Sequence, residues 1–309
     1  MIIYNTKNWA KAFYRILPFT KEYSSRTLNR ATLIILIYNT LVTLIQKDLV
    51  KEHLEIDNIY FNFIGTVLGF VLVFRLNTAY GKWWEGRQLW GSLVNTCRTI
   101  AAYAHTVLPE KDRDQREYFA LQVTNFPFAL KGHLRQNFDW EDFEEPVANY
   151  KQTLQKVSHV PFRISADLNA KVESLHKAGV FSDMDKYHLA RQVQQLNDIM
   201  GGCERIRNTP LPYAHSSFIK KFLIFFCAAL PFGLLDSFGY STILLASMVS
   251  YAMSALEIIS EELEEPFGKD PDDLPLNQLS TTIRKNVYEI LEQNRAVREV
   301  KKVDSVIVY

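Results

Sequence analysis

Apolar positions along this chain are gathered into four stretches that carry no charge. They are ATLIILIYNTLVTLIQ (31–46), NIYFNFIGTVLGFVLVF (58–74), FLIFFCAALPFGLL (222–235) and SFGYSTILLASMVSYAMSAL (237–256). A lone spanning helix wants about 20 apolar residues, which only the last stretch reaches. Residues 213–218 can lengthen the third, with Lys220 and Lys221 snorkelling towards head groups. A soluble core helix of this size ordinarily shows a polar stripe every three or four residues. These stretches are apolar or weakly polar all round, so they predict four transmembrane helices.

The flanks give direction. Lys21, Arg26 and Arg30 precede the first stretch; Arg75, Lys82, Arg87 and Arg98 follow the second; Arg205, Arg207, Lys220 and Lys221 precede the third. The link between the first two, KDLVKEHLEID, is mixed, and between the last two lies about Asp236 alone. Cations collect on one side, which the positive-inside rule makes cytoplasmic. Both termini then lie inside, in a cell inner membrane or plasma membrane. Trp83 and Trp84 fall just past an apolar segment, where indoles favour the interface, although plain helix packing is the alternative.

The expected organisation is a cytosolic N-terminal segment (1–28), transmembrane helices 1 and 2 (29–80), a cytosolic helical domain (81–212), transmembrane helices 3 and 4 (213–260) and a cytosolic C-terminal segment (261–309). Residues within 76–215 show helical spacing, with Ser182 or Asp183 as an N-cap. Pro210 and Pro212 interrupt the helix before the third stretch.

Composition narrows the function. The net charge is +1, with 35 Lys+Arg against 34 Asp+Glu, so no global field recruits nucleic acid. Three scattered cysteines point to no disulfide framework and no zinc site. The start MIIYNTKNWAKAFYRIL has neither the apolar run nor the cleavage site of a signal peptide. No dinucleotide or phosphate-loop motif occurs. Seven histidines are spread along the chain, none at metal-ligand spacing with a Cys or His neighbour, so each reads as a surface or satisfied core histidine. Glu257, Glu261, Glu264 and Glu265 recur at helical spacing, but a carboxylate-bridged metal enzyme needs Glu-x-x-His pairs, which are absent. GKDPDD is oxygen-rich without EF-hand spacing. The chain is not expected to be an enzyme.

Asn62, Thr66, Phe70 and Phe74 step by four along one helix face. Gly65 and Gly69 lie beside that stripe and permit close helix packing. Composition alone would send the phenylalanines to lipid or core; around a symmetry axis they would ring a pore.

Three long motifs, FRLNTAYGKWWEGRQLWG (74–91), CERIRNTPLPYAH (203–215) and EELEEPFGKDPDDLPL (261–276), occur in an order that resembles the bestrophin family, its bacterial branch in particular. The likeness runs from about 20 to 290. It implies an all-α membrane protein and a homopentameric ion channel with one pore on the symmetry axis. By position the hydrophobic neck would be Thr66, Phe70 and Phe74, stacked rings that gate by dewetting, with polar Thr66 departing from the apolar pattern. A cytosolic aperture would fall near Met184. Arg75 would either face the vestibule or fold into packing. In eukaryotic members the turn after Pro-Phe-Gly holds calcium, and Asp270 and Asp273 sit where clasp carboxylates would. Lys269 replaces an acid and Pro271 breaks the acidic run, so no cofactor is expected. The implied partners are further copies of the chain, the bilayer and permeant monovalent ions. Anions, chloride above all, come first. The alternatives are a monovalent cation channel of the same fold and a non-conducting helical membrane scaffold.

Overall fold

The computed structural model describes residues 3–4, 23–49, 58–270, 272–293, 295 and 307–308. Most of the N-terminal segment, the link 50–57, Pro271 and most of the chain beyond 293 lie outside them.

In the described residues the four apolar stretches are helical. Lipid offers no hydrogen-bond partners, so a spanning backbone must satisfy itself as a helix. Helix α1 covers Tyr23–Leu44 and runs on into one π turn, Ile45–Leu49. Helix α2 covers Asn58–Val107, 50 residues without a break. At 1.5 Å per residue it is about 75 Å long. The boundary expected at 80/81 therefore falls inside one helix: this stretch has no proline, and nothing in GKWWEGRQLW interrupts the ladder. Only its surroundings change.

Helices α3 (Arg113–Leu134), α4 (Tyr150–Gln155), α5 (Val160–Lys177), α6 (Asp183–Asn208) and α9 (Leu276–Ile290) join the later half of α2 to form a globular half. Its core holds Trp90, Phe119, Phe126, Ile164, Leu196 and Ile283. Ser182 is the N-cap of α6, in a reciprocal capping box with Asp185, as the sequence suggests. Trp90 is packing material; Trp83 packs at the core's edge and donates to Asp272 O at 3.1 Å; Trp84 is exposed.

The apolar half is α1, the first half of α2, and the antiparallel pair α7 (Tyr213–Phe238) and α8 (Thr242–Glu264). Pro212 is the N-cap of α7. The turn between α7 and α8 lies at Gly239–Ser241 and not at Asp236, which is still helical. Gly239 takes φ 54°, a left-handed conformation that glycine alone adopts freely, and this ends the helix. Leu68, Leu72, Ile219, Leu223, Phe226 and Ala246 form the core of this half. Gly233 lets α7 approach Phe61, whose ring would lie 2.2 Å from an added Cβ. Gly65 likewise faces Phe226, at 3.0 Å, whereas Gly69 meets nothing within 4 Å. Polar ties reinforce the bundle: Asn39 Nδ2 donates to Ser247 Oγ at 3.0 Å, and Tyr38 OH to Ala228 O at 2.8 Å.

Where the two halves meet, α8 is zipped to cations. Arg75 Nε lies 2.7 Å from Glu257 Oε2, with both side chains buried, and Arg75 Nη1 donates to Ser216 Oγ at 3.0 Å. Lys220 reaches Glu261 at 2.8 Å and Lys82 reaches Glu264 at 3.4 Å. Arg75→Ala leaves Glu257 buried and unpaired, which is expected to cost about 3–5 kcal/mol. A lower denaturation midpoint in detergent would report it. Arg75→Met with Glu257→Leu should recover most of the loss; a double variant no better than the single one would contradict a pair held by its own electrostatics.

Candidate functional site

Helix α2 has two unlike faces in the apolar half. Leu68, Leu72, Arg75 and Ala79 recur at helical spacing and are buried against the rest of the chain. Two residues along a helix turn through about 200°, so Phe70 and Phe74 lie opposite Leu68 and Leu72. The structure agrees: Phe70 is 62% exposed and Phe74 70%. Thr66 is exposed on the same stripe, its hydroxyl returned to Asn62 O at 2.7 Å. That bond hides the hydroxyl donor, so Thr66 offers the stripe its methyl and an oxygen lone pair. The three neck candidates thus share one unpartnered, largely apolar face of a protomer.

Of the two fates open to Arg75, it takes packing. Its guanidinium is turned away from the exposed stripe into the seam with Glu257 and Ser216. The stripe 66–70–74 carries no charge.

Met184 lies in the first turn of α6 and is 63% exposed, beside exposed Tyr187. Its neighbour Asp185 accepts from Tyr103 OH at 2.8 Å, and the Tyr103 ring packs on His188 at 5.2 Å. Tyr103 belongs to the far end of α2, about 43 Å along the helix from Phe74 at 1.5 Å per residue. Phe74 and the Met184 turn are therefore held near opposite regions of one helix, not brought together.

Asp270 and Asp273 are brought together, but not as two outward ligands. Asp273 is buried, and its Oδ2 accepts the Asp270 backbone N–H at 2.6 Å. Gly268 makes room, since an added Cβ would stand 2.5 Å from that oxygen. Burial pushes the Asp273 carboxyl up to about 6. Asp273 thus closes its own loop, with Oδ2 turned inward on the Asp270 N–H. Asp270 and Lys269 are exposed. Arg135 Nε donates to Phe267 O at 3.1 Å and fixes the loop from below.

The glutamates that look like a metal-binding cluster in sequence are spent elsewhere. Glu257, Glu261 and Glu264 each face a cation, and Glu264 also accepts the Leu211 N–H at 2.7 Å. One constellation escapes the sequence altogether: His133, His159 and Glu204 converge from three helices. Their positions are far apart in the chain, so spacing gives no signal for them.

The model of the family described as Bacterial/Fungal Bestrophin protein matches residues 5–289. The chain belongs to the bestrophin family. A relative from Nostoc sp., named a voltage-dependent anion channel-forming protein, is 33% identical over 238 residues, covering 75% of this chain and 77% of the relative. A protein of the same name from Ralstonia nicotianae is 35% identical over 237 residues, covering 75% and 76%. Among solved structures, a bacterial bestrophin homologue from Klebsiella pneumoniae superposes with a TM-score of 0.81 at 25% identity, covering 86% of this chain and 99% of that one. These are names of channels and membrane proteins, not of enzymes. The bestrophin assignment confirms an all-α membrane protein. Three stretches of the described residues are long and apolar enough to cross a membrane, the third taking in α7, the turn and α8 together.

The Asp273 carboxyl makes a pH prediction for this bestrophin. Its folded value, about 6, lies above the usual 3.8, so the folded protein binds this proton more tightly than the unfolded chain. The resulting stabilisation is full below about pH 4 and is lost as pH rises through about 6. Asp273→Asn keeps an acceptor for the Asp270 N–H and removes the charge. It is expected to raise the thermal midpoint at pH 7 and to remove this group's share of the rise between pH 6 and 4. A variant less stable than wild type at pH 7, or a wild-type midpoint raised by millimolar calcium, would overturn this account of the loop.

Proposed function

We propose that the chain assembles as a homopentamer in a cell inner membrane or plasma membrane and conducts small monovalent ions passively, anions such as chloride first. The observation that carries this reading is the uncharged face Thr66–Phe70–Phe74, exposed in the protomer while the opposite face of α2 is buried. Exposed rings at two successive turns suit a shared axis, where copies of the same face close on one another. Five copies would stack two benzyl rings per subunit into a narrow throat, with Thr66 above it. A constriction this apolar empties of water and so blocks ions without a plug; conduction resumes when the rings swing aside.

Anion preference has two supports. The relatives that match most of the chain carry the name of anion channels. No carboxylate lies on the stripe to repel an anion. Arg75 contributes no filter charge, since Glu257 neutralises it. Met184, exposed near the far end of α2, is the proposed second aperture, on the cytoplasmic side. Both termini lie on that side, where the flanking cations gather. No calcium step is assigned, because Asp273 serves its own loop.

Purified wild-type protein and Phe70→Ala/Phe74→Ala in liposomes test the throat. The double variant is expected to raise chloride efflux roughly tenfold, equivalent to about 1.4 kcal/mol off the dewetting barrier. Unchanged efflux in a folded variant would remove the gate assignment. Reversal potentials in a potassium chloride gradient settle the ion: a potential near the potassium value would replace the anion reading with the cation one, and no flux from either protein would favour a scaffold.

A further inference from the structure

His133 lies in the last turn of α3, His159 is the N-cap of α5, and Glu204 lies near the end of α6. Nε2 of His133 stands 2.9 Å, and Nε2 of His159 2.7 Å, from the same oxygen, Glu204 Oε1. The imidazoles stack, with centroids 4.3 Å apart and planes inclined by 30°. All three ligand atoms fall within 4.8 Å of one another. The side chains are 21%, 35% and 24% exposed, so an ion has a way in.

We propose that His133, His159 and Glu204 bind a divalent transition metal of the zinc class, with water completing a tetrahedron. The donor set argues for the class. Two imidazoles and one carboxylate suit zinc, whereas calcium and magnesium ask for oxygen throughout. Imidazole binds a metal only as the neutral ring, so loading depends on pH. Zinc–ligand bonds of about 2.0–2.2 Å place tetrahedral donors about 3.3 Å apart. The present N···O separations must open by about half an ångström, and one imidazole must turn out of the stack so that both Nε2 lone pairs meet at the ion.

Loading has a structural cost that marks the site. His159 Nδ1 accepts the Phe162 N–H at 3.3 Å, which caps α5 and leaves the ring's proton on Nε2. A metal on Nε2 moves that proton to Nδ1, with no net proton released by the neutral ring, and the cap bond is given up. In exchange the metal ties α3, the start of α5 and α6 to one point. This inference goes beyond ion conduction and does not depend on it, because binding is read without flux.

The test uses tag-free full-length protein in detergent, stripped with chelator and titrated with zinc against a chromogenic zinc indicator. About one equivalent per chain is expected. His133→Ala and His159→Ser should each weaken binding by about a hundredfold. Serine is a favoured N-cap, so His159→Ser keeps a partner for the Phe162 N–H and its fold is secured by a wild-type midpoint in chelator. Zinc should raise the midpoint of wild type and not of His159→Ser, and cobalt should give a tetrahedral absorption spectrum in wild type alone. No stoichiometric zinc on wild type, or equal affinity in a folded His159→Ser, would overturn the site.

Discussion

The placement of Arg75 constrains everything around it. It follows directly on an apolar run, and its guanidinium is buried against Glu257 and Ser216. A charge removed from water needs a partner, and a buried one deprived of it is costly. That requirement fixes the rotation of α2 about its own axis. With Arg75 committed to α8, Leu68, Leu72 and Ala79 must also face inward, and Phe70 and Phe74 are left on the outside. The uncharged stripe is the other side of the same decision.

The same seam explains the acidic end of α8. Glu257, Glu261 and Glu264 step down one side of the helix and meet Arg75, Lys220 and Lys82 in turn. Each cation comes from α2 or α7, so three helices are registered at the level where the apolar half gives way to the globular one. The more exposed of these contacts contribute little singly. Together with the buried pair they set how deep α8 sits.

Much of this was legible in the residues. The four uncharged stretches, the Ser182 cap and the four-residue stripe all rest on local patterns, and local patterns survive folding. Five features did not show. The continuity of α2 through 80/81 is invisible because the change there is one of surroundings, not of backbone. The one charge, Asp236, draws the eye to the α7–α8 turn, but the decisive residue is Gly239, whose backbone takes a positive φ. Gly65 meets Phe226 within the protomer whereas Gly69 meets nothing there, since small size permits an approach without requiring it. His133, His159 and Glu204 are far apart in sequence, and only the crossing of three helices gathers them. Asp273 belongs here too: its residue type suggests a ligand, and its burial makes it a loop fastener.

Helix α2 runs as a single element from the apolar half into the globular one. The Phe70–Phe74 region and the Tyr103 region that holds the start of α6 lie on one unbroken helix, with no proline between them. A change at the Tyr103 end therefore has a continuous backbone path to the phenylalanines, softened at Gly81, Gly86 and the Gly91–Ser92 pair.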